Sequence, residues 1–435
     1  MQREPDSAKL ARPSAAVPPM RLFPYRLACL FLLLSLVACS ATPPRSASTA
    51  PPATTPLLLV SFDGVRADAL GRGDTPTLDR LAAAGVRARW MRPAYPSLTF
   101  PNHYTLVTGL RPDRHGIVHN TMWDAALGGF KLSDREAVGE GRWWGGEPLW
   151  TGARKAGLRS ATMFWPGSEA PIQGHHPDRW KPFDKALPPR ARAEQALAWL
   201  SEPPATRPHL VTLYFDTPDS AAHAHGPHSE QARQALREAD AALGHLLDGL
   251  GARGLLAHVN IVAVSDHGMA EVSPAQVLAV EDIVAPEEAR VTSIGQVVGI
   301  VPLPGREAEV ERRLQGAHAQ YDCWRKEALP ARWRYGTHPR IPPIVCQMHE
   351  GWDALPRAQV GRRLREGTRG SHGYDPDLPS MRAMFVAAGP AFRRGAVLPP
   401  FDNVDVYPLL ARLLGIAPAP NDGDPAALRG ALREP

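Results

Sequence analysis

The sequence predicts a doubly wound α/β sandwich: a mostly parallel central sheet with helices on both faces. Four short runs are almost continuously apolar, Leu57 to Phe62, His209 to Phe215, Val259 to Val264 and Met381 to Ala387, as strands buried on both faces must be. Amphipathic helical segments lie between them, the alternation that places helices on both sides of a parallel sheet. Asp and His also recur where these runs meet loops, and open α/β sheets gather functional groups at the carboxyl ends of their strands.

The helices follow in order. From Thr75 the pattern opens one: Pro76 suits a first turn, Leu78, Leu81 and Ala82 share a face, and Gly85 stops it. Within Tyr95 to Gly109 (YPSLTFPNHYTLVTG), Thr99 stands where a helix N-cap belongs, with Pro101 two positions on. From about Ser229 to Leu250, Ala232, Leu236, Ala239, Leu243 and Leu246 recur at steps of four and three, closed by Gly251. Residues from about 280 to 370 break the rhythm with many Pro and Trp, and read as an inserted subdomain or long cap. No internal repeat is present.

At 435 residues the chain can hold one large domain or two to three smaller ones. The formal net charge is +5 with basic residues scattered, which argues against a nucleic-acid surface and leaves mild attraction for small anions.

The N-terminus reads as an address. After Arg21 and Arg26, the apolar run Leu27 to Val37 is too short to span a bilayer and has the length of a signal-peptide core. It ends in Leu36-Val37-Ala38-Cys39, similar to a bacterial lipobox with Cys39 as the lipidated residue; an ordinary cleaved signal is the alternative. Both imply export, to the periplasm or to a membrane by a lipid anchor. Residues 1 to 19 sit awkwardly ahead of such a signal, so Met20 is a plausible start. Residues 40–56, small, polar and Pro-rich, read as a flexible linker, 57–416 as the catalytic domain and 417–435 as a tail. Of four cysteines, Cys323 and Cys346 remain in the mature domain; in an oxidising compartment they are expected to be bonded, a free buried pair being the alternative.

The strand ends carry the chemistry. The first run ends in Asp63-Gly64, the second leads through Asp216 to Asp219 and His223, the third ends in Asp266-His267-Gly268, and His372 precedes the fourth. Singly each is weak, since Asp and His beside Gly are ordinary turn residues. Jointly, Asp63, Asp219, His223, Asp266, His267 and His372 are too many for one tetrahedral ion, and their nitrogen and oxygen donors suit zinc. Two metals are implied. No Cys-His or Ser-His pair with a supporting acid stands out. Thr99, at a helix N-terminus whose dipole favours an anion, is left as the nucleophile, with a metal to activate its hydroxyl. His225 and His228 are expected in a loop, and the pairs His115/His119 and His175/His176 stay unassigned.

Several stretches together resemble a bacterial member of the ectonucleotide pyrophosphatase/phosphodiesterase family, within the alkaline phosphatase superfamily. They are Val60 to Gly64, Tyr95 to Gly109, Arg111 to Asn120 (RPDRHGIVHN), Trp143 to Trp150, Phe164 to Gly167, Pro218-Asp219-Ser220 with His223, Ser265 to Met269, and Gly370 to Asp375. The similarity covers about residues 57 to 415 and implies an alkaline-phosphatase-like sandwich. It also implies one zinc held by Asp219, His223 and His372 and a second by Asp63, Asp266, His267 and Thr99. Asn120 is then expected to hydrogen-bond a phosphate oxygen, and Phe100 and Tyr214 to form a slot for a nucleotide base, with core packing as the alternative for both. The implied reaction cleaves nucleotide phosphodiester or pyrophosphate bonds through a covalent phospho-threonine. Three rivals remain: a phosphodiesterase of choline-type phospholipids, a phosphomonoesterase or sulfatase of the same superfamily, and a non-catalytic ligand-binding lipoprotein.

Overall fold

The computed structural model describes residues 55–433. The expected export signal, Cys39 and nearly all of the linker lie outside the described residues. Among those described, no helix is long and apolar enough to cross a membrane.

Eight strands form the central sheet: β1 (Leu57–Phe62), β2 (Val86–Ala88), β3 (Ser160–Met163), β4 (Arg179–Lys181), β5 (Leu210–Phe215), β6 (Asn260–Val264), β7 (Phe385–Ala388) and β8 (Ala396–Leu398). Their order is β8-β2-β7-β6-β1-β5-β3-β4. All pairings are parallel except those of β7, which runs antiparallel to both β6 and β2. Side chains alternate along each strand. Leu57 and Leu59 enter one core with helices α2 (Thr99–Thr108) and α6 (Val406–Leu414). Leu58, Val60 and Phe62 enter the other with α1 (Pro76–Ala84), α3 (Pro189–Leu200) and α5 (Glu230–Ala252).

The structure shifts several boundaries. The fourth apolar run starts its strand only at Phe385, because Pro379–Met381 forms a 3-10 turn first. The shortest strands escaped the apolar pattern; β4, Arg-Trp-Lys, lies half-exposed at the sheet edge. Gly251 lies inside α5, and the chain turns instead at Gly254, whose φ of 67° favours glycine. The N-cap of α2 is Leu98, extended at φ −117° and ψ 154°, so Thr99 is the first helical residue and not a cap. In the tail after 416, Leu428, Ala431 and Leu432 are buried in the first core, and the Asp422 carboxylate accepts from the Arg111 N–H at 2.9 Å.

Between β6 and β7 lies an insert with its own apolar core. Its antiparallel five-stranded sheet is built from Ala289–Ser293, Val297–Pro302, Ile344–Met348, Tyr321–Arg325 and Gly316–Ala317. Cys323 and Cys346 face each other in register on neighbouring strands, Cα atoms 4.0 Å apart, and form a disulfide. At the neck of the insert, Ala270–Val272 pairs antiparallel with Arg369–Ser371, which leads directly into His372.

Candidate two-metal centre

The sheet order explains why distant residues meet. β6, β1 and β5 are adjacent and parallel, so Asp266, Asp63 and the Asp219 segment leave the same edge side by side. Phe385 pairs with Val264 at the carboxyl end of β6. Because β7 is reversed, the segment entering it, with His372, reaches that edge too. Asp219 and His223 lie four residues apart on α4 (Thr217–His225), hence on one helix face.

Distances divide the side chains into two sets. In the outer set, His372 Nε2 lies 3.0 Å from His223 Nε2, and Asp219 Oδ1 lies 3.4 Å from the His223 nitrogen and 3.5 Å from the His372 nitrogen. In the inner set, His267 Nε2 lies 2.9 Å from Asp266 Oδ2, 3.6 Å from Asp63 Oδ1 and 3.3 Å from Thr99 Oγ1. Asp63, Asp266 and His267 are fully enclosed, while the His223 side chain is 37% exposed; the centre therefore opens on the outer set.

The donor set fits metal ions. Each of the three imidazoles has its Nδ1 on a backbone carbonyl: His223 on Gly370 at 2.9 Å, His267 on Gly268 at 2.8 Å and His372 on Ser97 at 2.9 Å. An Nδ1–H donated this way leaves the Nε2 lone pair free, as metal-ligating histidines are usually arranged. Asp63 Oδ1 and Asp219 Oδ1 are buried without a hydrogen-bond donor, and Asp266 Oδ2 has only the His267 and His103 imidazoles beside it, a costly state that a cation relieves. Burial and the neighbouring Asp266 and Asp219 charges push the Asp63 carboxyl well up, and burial chiefly raises Asp219. Burial would raise Asp266 also, but the His267 and His103 imidazoles hold it well below the usual carboxylate range. His372 is pushed well down, first by burial and then by the other two imidazoles, which keeps its nitrogen unprotonated.

His103, which the sequence reading passed over, is the second buried imidazole at the inner set. Its Nδ1 lies 2.9 Å from the Thr99 carbonyl and 3.2 Å from Asp266 Oδ2, and its Nε2 is 2.7 Å from Ser61 Oγ. Although it clusters with Asp63 and Asp266, both nitrogens have partners, so His103 buttresses Asp266 while His267 offers the free lone pair. The signal was its place four residues after Thr99, one helical turn on. Tyr214 also reaches the inner set. It is 7% exposed and its hydroxyl donates to Asp63 Oδ2, because it sits within a strand buried on both faces; this is the packing that stood as the alternative to a base slot, and it orients a carboxylate. Phe100 is half-buried, packed at 6.0 Å on Phe130 and 5.9 Å on Trp144.

Asn120 lies beside the start of α2: its Oδ1 accepts from the Phe100 N–H at 2.9 Å, leaving its amide N–H groups as donors. Of the first-turn amides the sequence expects to be free, Phe100 is thus taken, Pro101 has none and Asn102 bonds Leu98 O at 3.1 Å. The helix offers an anion its dipole, the Thr99 N–H and Asn120.

The unassigned histidines fall elsewhere. His225 ends α4, and His176 stacks on Trp180 at 4.9 Å. His115 and His119 are buried, and burial lowers them to about 3 and about 4. The unfolded chain protonates such groups near 6.5. Their contribution to stability is therefore whole above pH 6.5 and lost as pH falls towards 4. Each is expected to remove about 1.4 kcal/mol per pH unit in that window. Urea melts at pH 7 and pH 5 check this, with a shallower loss expected in His115→Gln.

Residues 57–375 match the model of the family described as type I phosphodiesterase / nucleotide pyrophosphatase. The chain belongs to this family. The venom phosphodiesterase CdcPDE of Crotalus durissus collilineatus is 37% identical over 391 residues, 87% of this chain and 47% of that protein. Ectonucleotide pyrophosphatase/phosphodiesterase family member 3 of Rattus norvegicus is 36% identical over 394 residues, 87% of this chain and 44% of that one. The chain spans about half the length of these curated relatives. Among solved structures, murine ectonucleotide pyrophosphatase / phosphodiesterase 5, as an inactive threonine-to-alanine variant in complex with AMP, aligns with a TM-score of 0.82 and 31% identity. That alignment covers 87% of this chain and all of the other. The alkaline-phosphatase-like sandwich is thus the fold of this phosphodiesterase family member.

Proposed function

We propose that the chain is an exported, zinc-dependent nucleotide pyrophosphatase/phosphodiesterase that releases nucleoside 5'-monophosphates through a covalent phospho-threonine at Thr99. The observation that carries this reading is the convergence of three free imidazole nitrogens with the buried carboxylates of Asp63, Asp219 and Asp266 next to the Thr99 hydroxyl. Asp219, His223 and His372 would hold one zinc, and Asp63, Asp266, His267 and Thr99 the other. Bound there, the two ions would make the Thr99 hydroxyl acidic and neutralise charge on the phosphoryl group. Thr99 Oγ1 attacks phosphorus in line; its bond to phosphorus forms as the opposite P–O bond breaks and the alcohol or phosphate leaves. Water then cleaves the Thr99–phosphorus bond, and the threonine oxygen regains its proton. Asn120 donates to a non-bridging oxygen where charge grows.

A nucleotide substrate is supported by the AMP bound to the murine relative and by Phe100, whose half-exposed ring adjoins Thr99. The lipoprotein-type signal ending at Cys39 supports a bacterial origin, with export to the periplasm or anchoring in a membrane. An aromatic wall also accepts a quaternary ammonium, so substrate classes are separated by direct comparison. Nitrophenyl esters of thymidine monophosphate, phosphorylcholine and plain phosphate are offered side by side, and the thymidine ester is expected to turn over fastest. Clear preference for phosphorylcholine or plain phosphate would overturn the nucleotide reading.

A further inference from the structure

Asn120 is held from one side by Phe100, but the chain around it is held by the distant insert. Residues 333–340 of the insert form a strap lying on both flanks of Asn120. Ahead of it, the Tyr335 hydroxyl donates to Val118 O at 3.1 Å and Arg340 Nη1 donates to Gly116 O at 2.8 Å. Behind it, Arg340 Nε donates to Asp124 Oδ2 at 2.8 Å. The same guanidinium reaches Trp143 O at 2.6 Å and Arg142 O at 3.1 Å and lies 4.6 Å above the Trp143 ring. The Arg340 side chain is 9% exposed, so its bonds are shielded from water and charge-assisted.

The fit is close. A Cβ at Gly116, where φ is 78°, would come within 2.8 Å of His338 Nε2 and 2.9 Å of Arg340 Nη1. The strap is itself fixed: the Asp113 carboxylate accepts from the Gly336, Thr337 and His338 amides at 3.0, 2.7 and 2.8 Å. Trp333 stacks on Tyr95 at 4.0 Å, four residues before Thr99. The Cys323–Cys346 disulfide joins the two strands from which this strap emerges.

Resting on the reading of Asn120 given above, we propose that the insert is a positioning element for phosphoryl-transfer chemistry, and that Arg340 is the positioning residue that sets Asn120 against the phosphoryl group. Four backbone and side-chain acceptors on three segments converge on one guanidinium, and two of them bracket Asn120. Bringing a planar multi-donor group to fixed acceptors is what Arg does and Lys does not. Misplacing a group that acts on the transition state by a fraction of its bond length lowers kcat, with little change in substrate binding.

The test is a double-mutant cycle of Arg340→Met, which keeps the aliphatic stem, with Asn120→Ala. It uses the whole zinc-loaded protein and a nucleotide nitrophenyl ester. Asn120→Ala is expected to lower kcat by roughly 100- to 1,000-fold, and Arg340→Met by roughly 10- to 100-fold with KM and zinc content unchanged. In the Asn120→Ala background, Arg340→Met should cost about nothing further, because its effect passes through Asn120. A wild-type kcat in Arg340→Met, or the same fold loss in both backgrounds, would overturn the proposal. Asn120→Ala at the wild-type rate would instead strike the role of Asn120 itself. Should Arg340→Met fail to fold, Tyr335→Phe enters the same cycle, with a several-fold loss of kcat expected only when Asn120 is present.

Discussion

Thr99→Ala is expected to lose at least roughly 10,000-fold in kcat, the scale on which removal of a covalent nucleophile acts, while zinc content stays near two per chain. The hydroxyl is the only ligand contributed by α2, and Asp63, Asp266 and His267 remain to hold the inner ion. Thr99 lies 3.3 Å from His267 Nε2, in the first turn of α2 but outside its capping bonds, so its removal does not unmake the helix. Metal analysis and circular dichroism beside the rate measurement separate chemistry from folding. Turnover within tenfold of wild type would sink the nucleophile assignment.

Removing the metals is the second large effect. Chelation is expected to abolish turnover, and zinc to restore it. It should also destabilise the fold, because the buried carboxylates of Asp63, Asp219 and Asp266 lose the cations that offset their desolvation. At free zinc about a thousandfold above Kd, each ion contributes about 4 kcal/mol to folding. The pH dependence has a definite sign. In metal-free protein, Asp63 and Asp219 are raised above 3.8 by burial first and by neighbouring carboxylates. Each therefore favours the fold when protonated and opposes it as pH rises through its folded value. Zinc stabilisation is accordingly largest at neutral pH and shrinks in acid, as protons displace the ion. Thermal melts with and without zinc at pH 7.5 and pH 5.5 check this; equal melting temperatures at pH 7.5 would contradict it.

Much of the clustering was legible because Asp and His at strand ends come with a pattern. Asp63 and Asp266 follow apolar runs, Asp219 and His223 have helical spacing, and His372 precedes a run that the reversed β7 brings to the same edge. What was not legible depends on contacts between distant segments. Nothing near Tyr214 says that its hydroxyl meets Asp63, 151 residues away. The place of His103 one helical turn after Thr99 put it near the inner set, but not against Asp266. The insert read as an irregular cap because Pro interrupts its apolar stretches and only Ile344–Met348 of its strands is buried throughout. Its bonds to the Asn120 segment span more than 200 residues. Leu428 and Leu432 are too sparse among Pro, Gly and Asp to show that the last residues pack into the core.

Whether Thr99 forms a bond to phosphorus before water does is read from the stereochemistry at phosphorus. A nucleoside phosphorothioate ester of known chirality is hydrolysed in isotopically labelled water, and the configuration of the product is read. Two in-line displacements, first by Thr99 and then by water, predict net retention; inversion, the mark of direct attack by water, would contradict the account.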